Sequence, residues 1–124
     1  MSNGKKIILA VDDAQANLKI IQNTLKDSFE LRLAKSAGMA LMVLDRVVPD
    51  LILLDIEMPD MSGFDLMETI RSRPQLRDVP IIFVTSHATK EFVMEAGLKG
   101  AKDYIAKPFT PALLRSKIRK ALEP

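Results

Sequence analysis

The chain has 124 residues, the size of one domain that buries a core without disulfides or a structural metal. It contains no cysteine, which excludes a disulfide framework, a thiolate zinc site and a cysteine nucleophile and points to a reducing, cytoplasmic setting. Lysine and arginine number 18 against 16 aspartates and glutamates, and a formal charge of +2 is too slight to argue for nucleic acid as a partner.

Residues 1–13, MSNGKKIILAVDD, hold two lysines and a short apolar run that ends in acid. That is neither a secretory signal nor a membrane span, so no export or membrane anchoring is expected. Residues 5–11 (KKIILAV) read as a strand buried on both faces, apolar without polar alternation. Leu18, Ile21 and Leu25 follow at helical spacing. Residues 29–34 (FELRLA) alternate more, with Glu30 and Arg32 between apolar neighbours, and predict a strand nearer the sheet edge. Ala37, Leu41 and Leu44 predict a second helix, residues 51–54 (LILL) a third strand, and Phe64, Met67 and Ile70 a third helix. Residues 81–84 (IIFV) are the fourth strand. The helix over 89–98 is the least amphipathic, and Gly97 and Gly100 are expected to close it. Tyr104 and Ile105 mark a short fifth strand, and the last helix begins at Pro111 after the capping Thr110. Five strand-then-helix units predict a doubly wound α/β parallel sheet with helices on both faces. A single domain over 1–124 is expected, with no linker and no effector module.

In such sheets ligands bind outside the carboxyl ends of the strands. The first run ends in Asp12 and Asp13, the third in Asp55 and the fourth in Thr85, and the fifth is soon followed by Lys107. Each has a structural reading alone: Asp13 and Thr85 as helix caps, Asp55 as a strand end, Lys107 as a solvated cation. Together, three carboxylates at one edge repel one another unless a cation is present. Oxygen ligands without His or Cys favour magnesium or manganese. A lysine and a threonine hydroxyl beside them suit the oxygens of a phosphoryl group. A carboxylate can be the nucleophile in such chemistry, giving an acyl phosphate, and Asp55 is the best placed.

AVDD after the first strand, LLDIEMPDMSG around Asp55, FVTS at the fourth strand and DYIAKPF near the end resemble the receiver domain of two-component response regulators, over almost the whole chain. The resemblance implies a flavodoxin-like sheet of order 2-1-3-4-5 with five helices. It makes Asp55 the phosphoacceptor; Asp13, Asp55 and the backbone carbonyl of Glu57 ligands of magnesium; and Asp12 a neighbour acting largely through water. Thr85 and Lys107 would contact the phosphoryl group, and Tyr104 would turn inward on activation, unless it is simply a strand residue with its hydroxyl in water. Lys107-Pro108 matches a bond that is commonly cis in the family. Glu57 and His87 stand at two variable positions that tune phosphoryl lifetime, although His87 also reads as an exposed residue at a helix start. Pro59 and Gly63 fit the loop after Asp55, one restricting the backbone and the other freeing it.

The donor implied is a phosphohistidine on a histidine kinase or a histidine phosphotransfer domain. The readout is a partner-binding surface of the fourth helix, fifth strand and fifth helix, which makes the chain a signalling domain rather than an enzyme with its own substrate. Lys90, Lys99, Lys102, Arg115, Lys117 and Arg119 form a basic set there that could steer an acidic partner or simply be solvated. Val93 and Leu113 stand where the transcription-factor class often has charges, which argues against that class's dimer and leaves the oligomeric state open. A flavodoxin-like cofactor binder is a rival, but Asp12 and Asp13 at the first helix oppose a bare cofactor phosphate. An aspartyl-phosphate phosphatase would use Glu57 as its second acid and needs a cap domain that is absent. A receiver-like binding module that takes no phosphate is the remaining alternative.

Overall fold

The computed structural model describes residues 4–123. Five strands, β1 (Ile7–Val11), β2 (Glu30–Ala34), β3 (Leu51–Leu54), β4 (Ile81–Thr85) and β5 (Asp103–Ala106), alternate with α1 (Gln15–Leu25), α2 (Ala37–Leu44), α3 (Gly63–Arg71), α4 (Lys90–Leu98) and α5 (Pro111–Ala121). All strand pairs are parallel, in the order β2-β1-β3-β4-β5. The solid apolar runs have a direct cause: successive side chains point to opposite faces, and both faces are covered. In β3, Leu51 and Leu53 face α1 and α5, whereas Ile52 and Leu54 face α2, α3 and α4. β1 and β4 divide in the same way, Ile8, Ala10, Ile82 and Val84 to one side and Leu9, Val11, Ile81 and Phe83 to the other. β2 is an edge strand as expected; Leu31 and Leu33 pack inward on one face while Arg32 pairs with Glu30 at 2.7 Å.

Ser36, Ser62, Thr89 and Thr110 cap α2, α3, α4 and α5 by accepting backbone N–H bonds from Met39, Asp65, Phe92 and Leu113. Thr85 is therefore not the cap of α4, and Asp13 does not cap α1; the N-cap residue of α1, Ala14, donates its own N–H to Asp12 Oδ1 at 2.9 Å. Gly97 lies inside α4, and Gly100, at φ +100°, makes the turn that follows it. In α2 the buried positions are Ala37, Ala40 and Leu44, with Leu41 half-buried. A short 3₁₀ turn (Pro74–Leu76) plugs the α3 to β4 connection with buried Leu76. The Arg71 guanidinium holds that connection by donating to the carbonyls of Leu76 and Val79, at 3.1 and 2.7 Å. No helix among the described residues is long and apolar enough to cross a membrane.

Candidate functional site

The strand register brings the polar residues together. Val11 is level with Leu54, and Leu54 with Phe83, so the residues just beyond these ends emerge side by side. Backbone bonds carry the lacing past the strands: the Asp55 N–H donates to the Val11 carbonyl at 3.0 Å, and the Lys107 N–H to that of Thr85 at 2.9 Å. The buried polar side chains among the described residues are Asp12, Asp55 and Thr85, and all three lie at this edge.

Carboxylate oxygens of Asp12, Asp13 and Asp55 lie within 4.8 Å of one another, Asp13 being the exposed member. Lys107 Nζ reaches between two of them, 2.8 Å from Asp12 Oδ2 and 3.1 Å from Asp55 Oδ2. The Lys107-Pro108 peptide is cis. Burial pushes the Asp55 carboxyl above the usual carboxylate range; Lys107 draws it down, the Asp12 charge raises it again, and the balance stays upward. Burial alone would lower the Lys107 ammonium, but its contacts with Asp12 and Asp55 outweigh this and hold it up. One ammonium against three carboxylates leaves the cluster negative when all are ionised, with Asp12 Oδ2 sealed from water. An all-oxygen set with surplus negative charge, one member open to solvent, fits a hard divalent cation that keeps part of its water shell.

Thr85 and Tyr104 line the same small apolar cavity, of about 10 Å³, with Ile56, Phe83 and Phe92. Tyr104 is half-buried, with Lys117 Nζ 5.2 Å from its ring centroid. Glu57 and His87 meet directly, His87 Nδ1 to Glu57 Oε1 at 2.8 Å, so one side chain from the loop after β3 joins one from the loop after β4. The Glu57 N–H also faces Asp55 Oδ1 at 3.4 Å, and the His87 N–H donates to Thr85 Oγ1 at 3.0 Å.

Two supports of the loop after β3 act through contacts that the sequence pattern does not show. Asp60 accepts from the Ala37 and Gly38 N–H groups, fastening that loop to the start of α2, and these bonds draw its carboxyl below the usual range. Gly63 serves for a reason other than backbone freedom: a Cβ there would strike the carbonyl oxygen of Asp55 and come within 2.8 Å of the Ile56 Cα. In the basic set, Lys117 is paired with Asp103 at 2.9 Å and Lys99 sits 3.9 Å from Glu95. Arg115 and Arg119 open instead on a cleft beside Phe29.

A doubly wound parallel sheet with buried carboxylates and a lysine at its carboxyl edge defines a flavodoxin-like α/β domain with an acidic site at that edge. The family described as the response regulator receiver domain matches residues 8–119. The chain belongs to that family, whose members are two-component signalling domains. It is 36% identical over 118 residues to the chemotaxis protein CheY-3 of Vibrio cholerae, covering 94% of this chain and 91% of that protein. It is 34% identical over 116 residues to a probable cyclic di-GMP phosphodiesterase of the same organism, covering 94% of this chain but only 26% of the relative's length. Among solved structures it resembles the receiver domain of the sensor histidine kinase PA1611 of Pseudomonas aeruginosa, which has a magnesium ion in its active-site cleft. That likeness has a TM-score of 0.87 and 28% identity and covers 96% of this chain and 98% of that one.

Proposed function

We propose that this receiver takes a phosphoryl group onto Asp55 from a phosphohistidine of a histidine kinase or histidine phosphotransfer domain. The observation that carries this reading is the Lys107 ammonium drawn between buried Asp12 and Asp55 beside a third carboxylate. An Asp55 oxygen attacks phosphorus, the phosphorus–nitrogen bond breaks, and its electron pair remains on the imidazole of the donor. The product is an acyl phosphate; water later attacks phosphorus, breaks the new phosphorus–oxygen bond and releases phosphate. Catalysis of this kind is positioning and charge neutralisation. Lys107 offers a charge-assisted hydrogen bond to a phosphoryl oxygen, and the Thr85 hydroxyl a neutral one.

Asp13, Asp55 and the backbone carbonyl of Glu57 would hold magnesium, or manganese, with Asp12 acting largely through water. The magnesium named for the PA1611 receiver supports that assignment. When bound, the ion supplies positive charge against the incoming phosphoryl oxygens. Phosphorylation would draw Thr85 toward the phosphate and let Tyr104 turn toward the cavity both residues line, altering the α4-β5-α5 face that a downstream protein reads. Glu57 and His87 tune how long the acyl phosphate lasts.

Intact mass after incubation with acetyl phosphate and magnesium tests the assignment. One phosphoryl adduct is expected on the unmodified chain and none on Asp55→Asn. Equal adducts on both, or none on the unmodified chain, would reject Asp55 as acceptor.

A further inference from the structure

The two helical layers differ in charge. α1 and α5, which cover one face of the sheet together, carry Lys19, Arg115, Lys117, Arg119 and Lys120 and no carboxylate. On the other face, α3 and α4 mix both signs, with Asp65, Glu68, Glu91 and Glu95 beside Arg71 and Lys90. The cationic layer ends in an open cleft of about 450 Å³ where the C-terminal half of α5 meets the turn before β2. Phe29 and Leu122, both half-buried, form its apolar floor, and Lys6, Arg115 and Arg119, all exposed, stand around it. Glu123 is the one acid on the lining. Arg115 and Arg119 are one helical turn apart, on the same side of α5. Neither makes an ion pair among the described residues, in contrast to Lys117, which Asp103 holds.

The cleft is remote from the acceptor. Lys6 precedes β1 and Phe29 precedes β2, whereas Asp12 and Asp55 follow their strands, so a strand length of roughly 15 Å separates the two edges. We propose that this cleft docks an acidic amphipathic segment of a partner protein, with an apolar side chain on Phe29 and Leu122 and carboxylates on Arg115, Arg119 and Lys6. The complementarity is specific to such a segment. Nucleic acid would need a cationic stripe that tracks successive phosphates, and the chain as a whole carries only +2. A membrane surface would need protruding apolar groups, and here they lie at the bottom of the cleft. The site is separate from the phosphoryl chemistry, so docking does not depend on Asp55.

The probe is a short fluorescent peptide of leucines flanked by glutamates, titrated by anisotropy at low salt and mapped by amide chemical shifts. Binding should shift residues 29, 115, 119 and 122, and Asp55→Asn should bind the peptide as the unmodified chain does. Arg119→Glu should weaken binding roughly fivefold or more, since an exposed ion pair is worth up to about 1 kcal/mol and its reversal adds repulsion. Lys120→Glu, the same charge change on an exposed side chain outside the cleft, should leave affinity within about twofold. The proposal is overturned if Lys120→Glu costs as much as Arg119→Glu, or if the glutamine counterpart of the peptide binds equally well. It is equally overturned if leucine-free polyglutamate matches the peptide, or if duplex DNA or anionic phosphatidylserine vesicles bind more tightly.

Discussion

The interior of the sheet and the polar residues that directly end its central strands are both buried and chemically opposite. Along β3 the buried run Leu51, Ile52, Leu53, Leu54 passes without a break into Asp55, which is only 5% exposed. Along β1 it passes from Val11 into Asp12, and β4 ends in Thr85, each 2% exposed. Burying a large apolar side chain contributes about 1.5–3 kcal/mol, whereas removing a carboxylate from water costs several kcal/mol unless it is well paired. At the edge one lysine serves two buried carboxylates and a third stands beside them. Stability comes from the interior, and the edge holds surplus negative charge that a bound cation would offset.

The largest expected effect lies in the interior. Phe83 is 1% exposed and meets the Phe64 ring edge-on, with centroids 5.1 Å apart. Phe83→Ala should lower unfolding stability by about 3–5 kcal/mol in urea denaturation. Next comes Gly63→Ala, where the new methyl group must displace the backbone of Asp55 and Ile56. Overpacking against backbone should cost about 1–3 kcal/mol. Because the displaced atoms carry Asp55, the proposed acceptor, phosphorylation by acetyl phosphate should fall as well, while Phe83→Ala should leave the labelling of folded molecules nearly intact. If Gly63→Ala loses stability without losing labelling, interior and edge are less coupled than the close approach of α3 to Asp55 implies.

The centre of the sheet was legible because strands buried on both faces leave no room for polar residues, so β1, β3 and β4 appear as solid runs. The edge was legible because the acids stand directly after those runs. α2 was read less well: AGMALMVL is apolar all round, and with no polar stripe to orient it, Leu41 took the place that Ala40 holds in the core. The 3₁₀ turn at Pro74–Leu76 is too short to have a period. Contacts such as His87 to Glu57 or Asp60 to the start of α2 join residues far apart in the chain, and nothing in either segment announces the other. Gly63 was noticed for its flexibility, whereas its role is to leave a Cβ out, which becomes visible only once α3 lies against the loop after β3.

Removing charge from the edge should act in the opposite direction to damage in the interior. The folded carboxyl of Asp55 lies above its unfolded value of 3.8, so the folded state binds that proton more tightly than the unfolded chain does. Below 3.8 the group is protonated in both states and costs nothing. As pH rises through the raised folded value, folding must ionise a buried carboxylate and loses stability. In buffer stripped of divalent cations, Asp55→Asn should therefore be more stable than the unmodified chain at neutral pH, by about 1 kcal/mol. The gain should fade as the solution is acidified toward 3.8. Magnesium should close the gap from the other side, since an ion that binds the native site stabilises the unmodified chain and finds one ligand fewer in the variant. A loss of stability in Asp55→Asn at neutral pH without metal would mean that Lys107 more than compensates the buried charge.

The smallest effect on stability is expected where edge meets solvent. Glu57 and His87 are 65% and 47% exposed, so their 2.8 Å contact should add less than about 0.5 kcal/mol to folding. Its consequence is local: it ties the loop after β3, which begins with Asp55, to the loop after β4, which follows Thr85. Removing either side chain frees both loops at once and should ease the approach of water to the acyl phosphate. His87→Ala and Glu57→Ala are each expected to raise the loss of phosphate from Asp55 about two- to threefold, a barrier change of roughly 0.5 kcal/mol. The double variant should lose phosphate no faster than either single one, because one bridge cannot be broken twice. Multiplying effects, measured by the decay of the phosphoryl adduct in intact mass, would show instead that each residue acts on the acyl phosphate by itself and that the bridge is incidental to its lifetime.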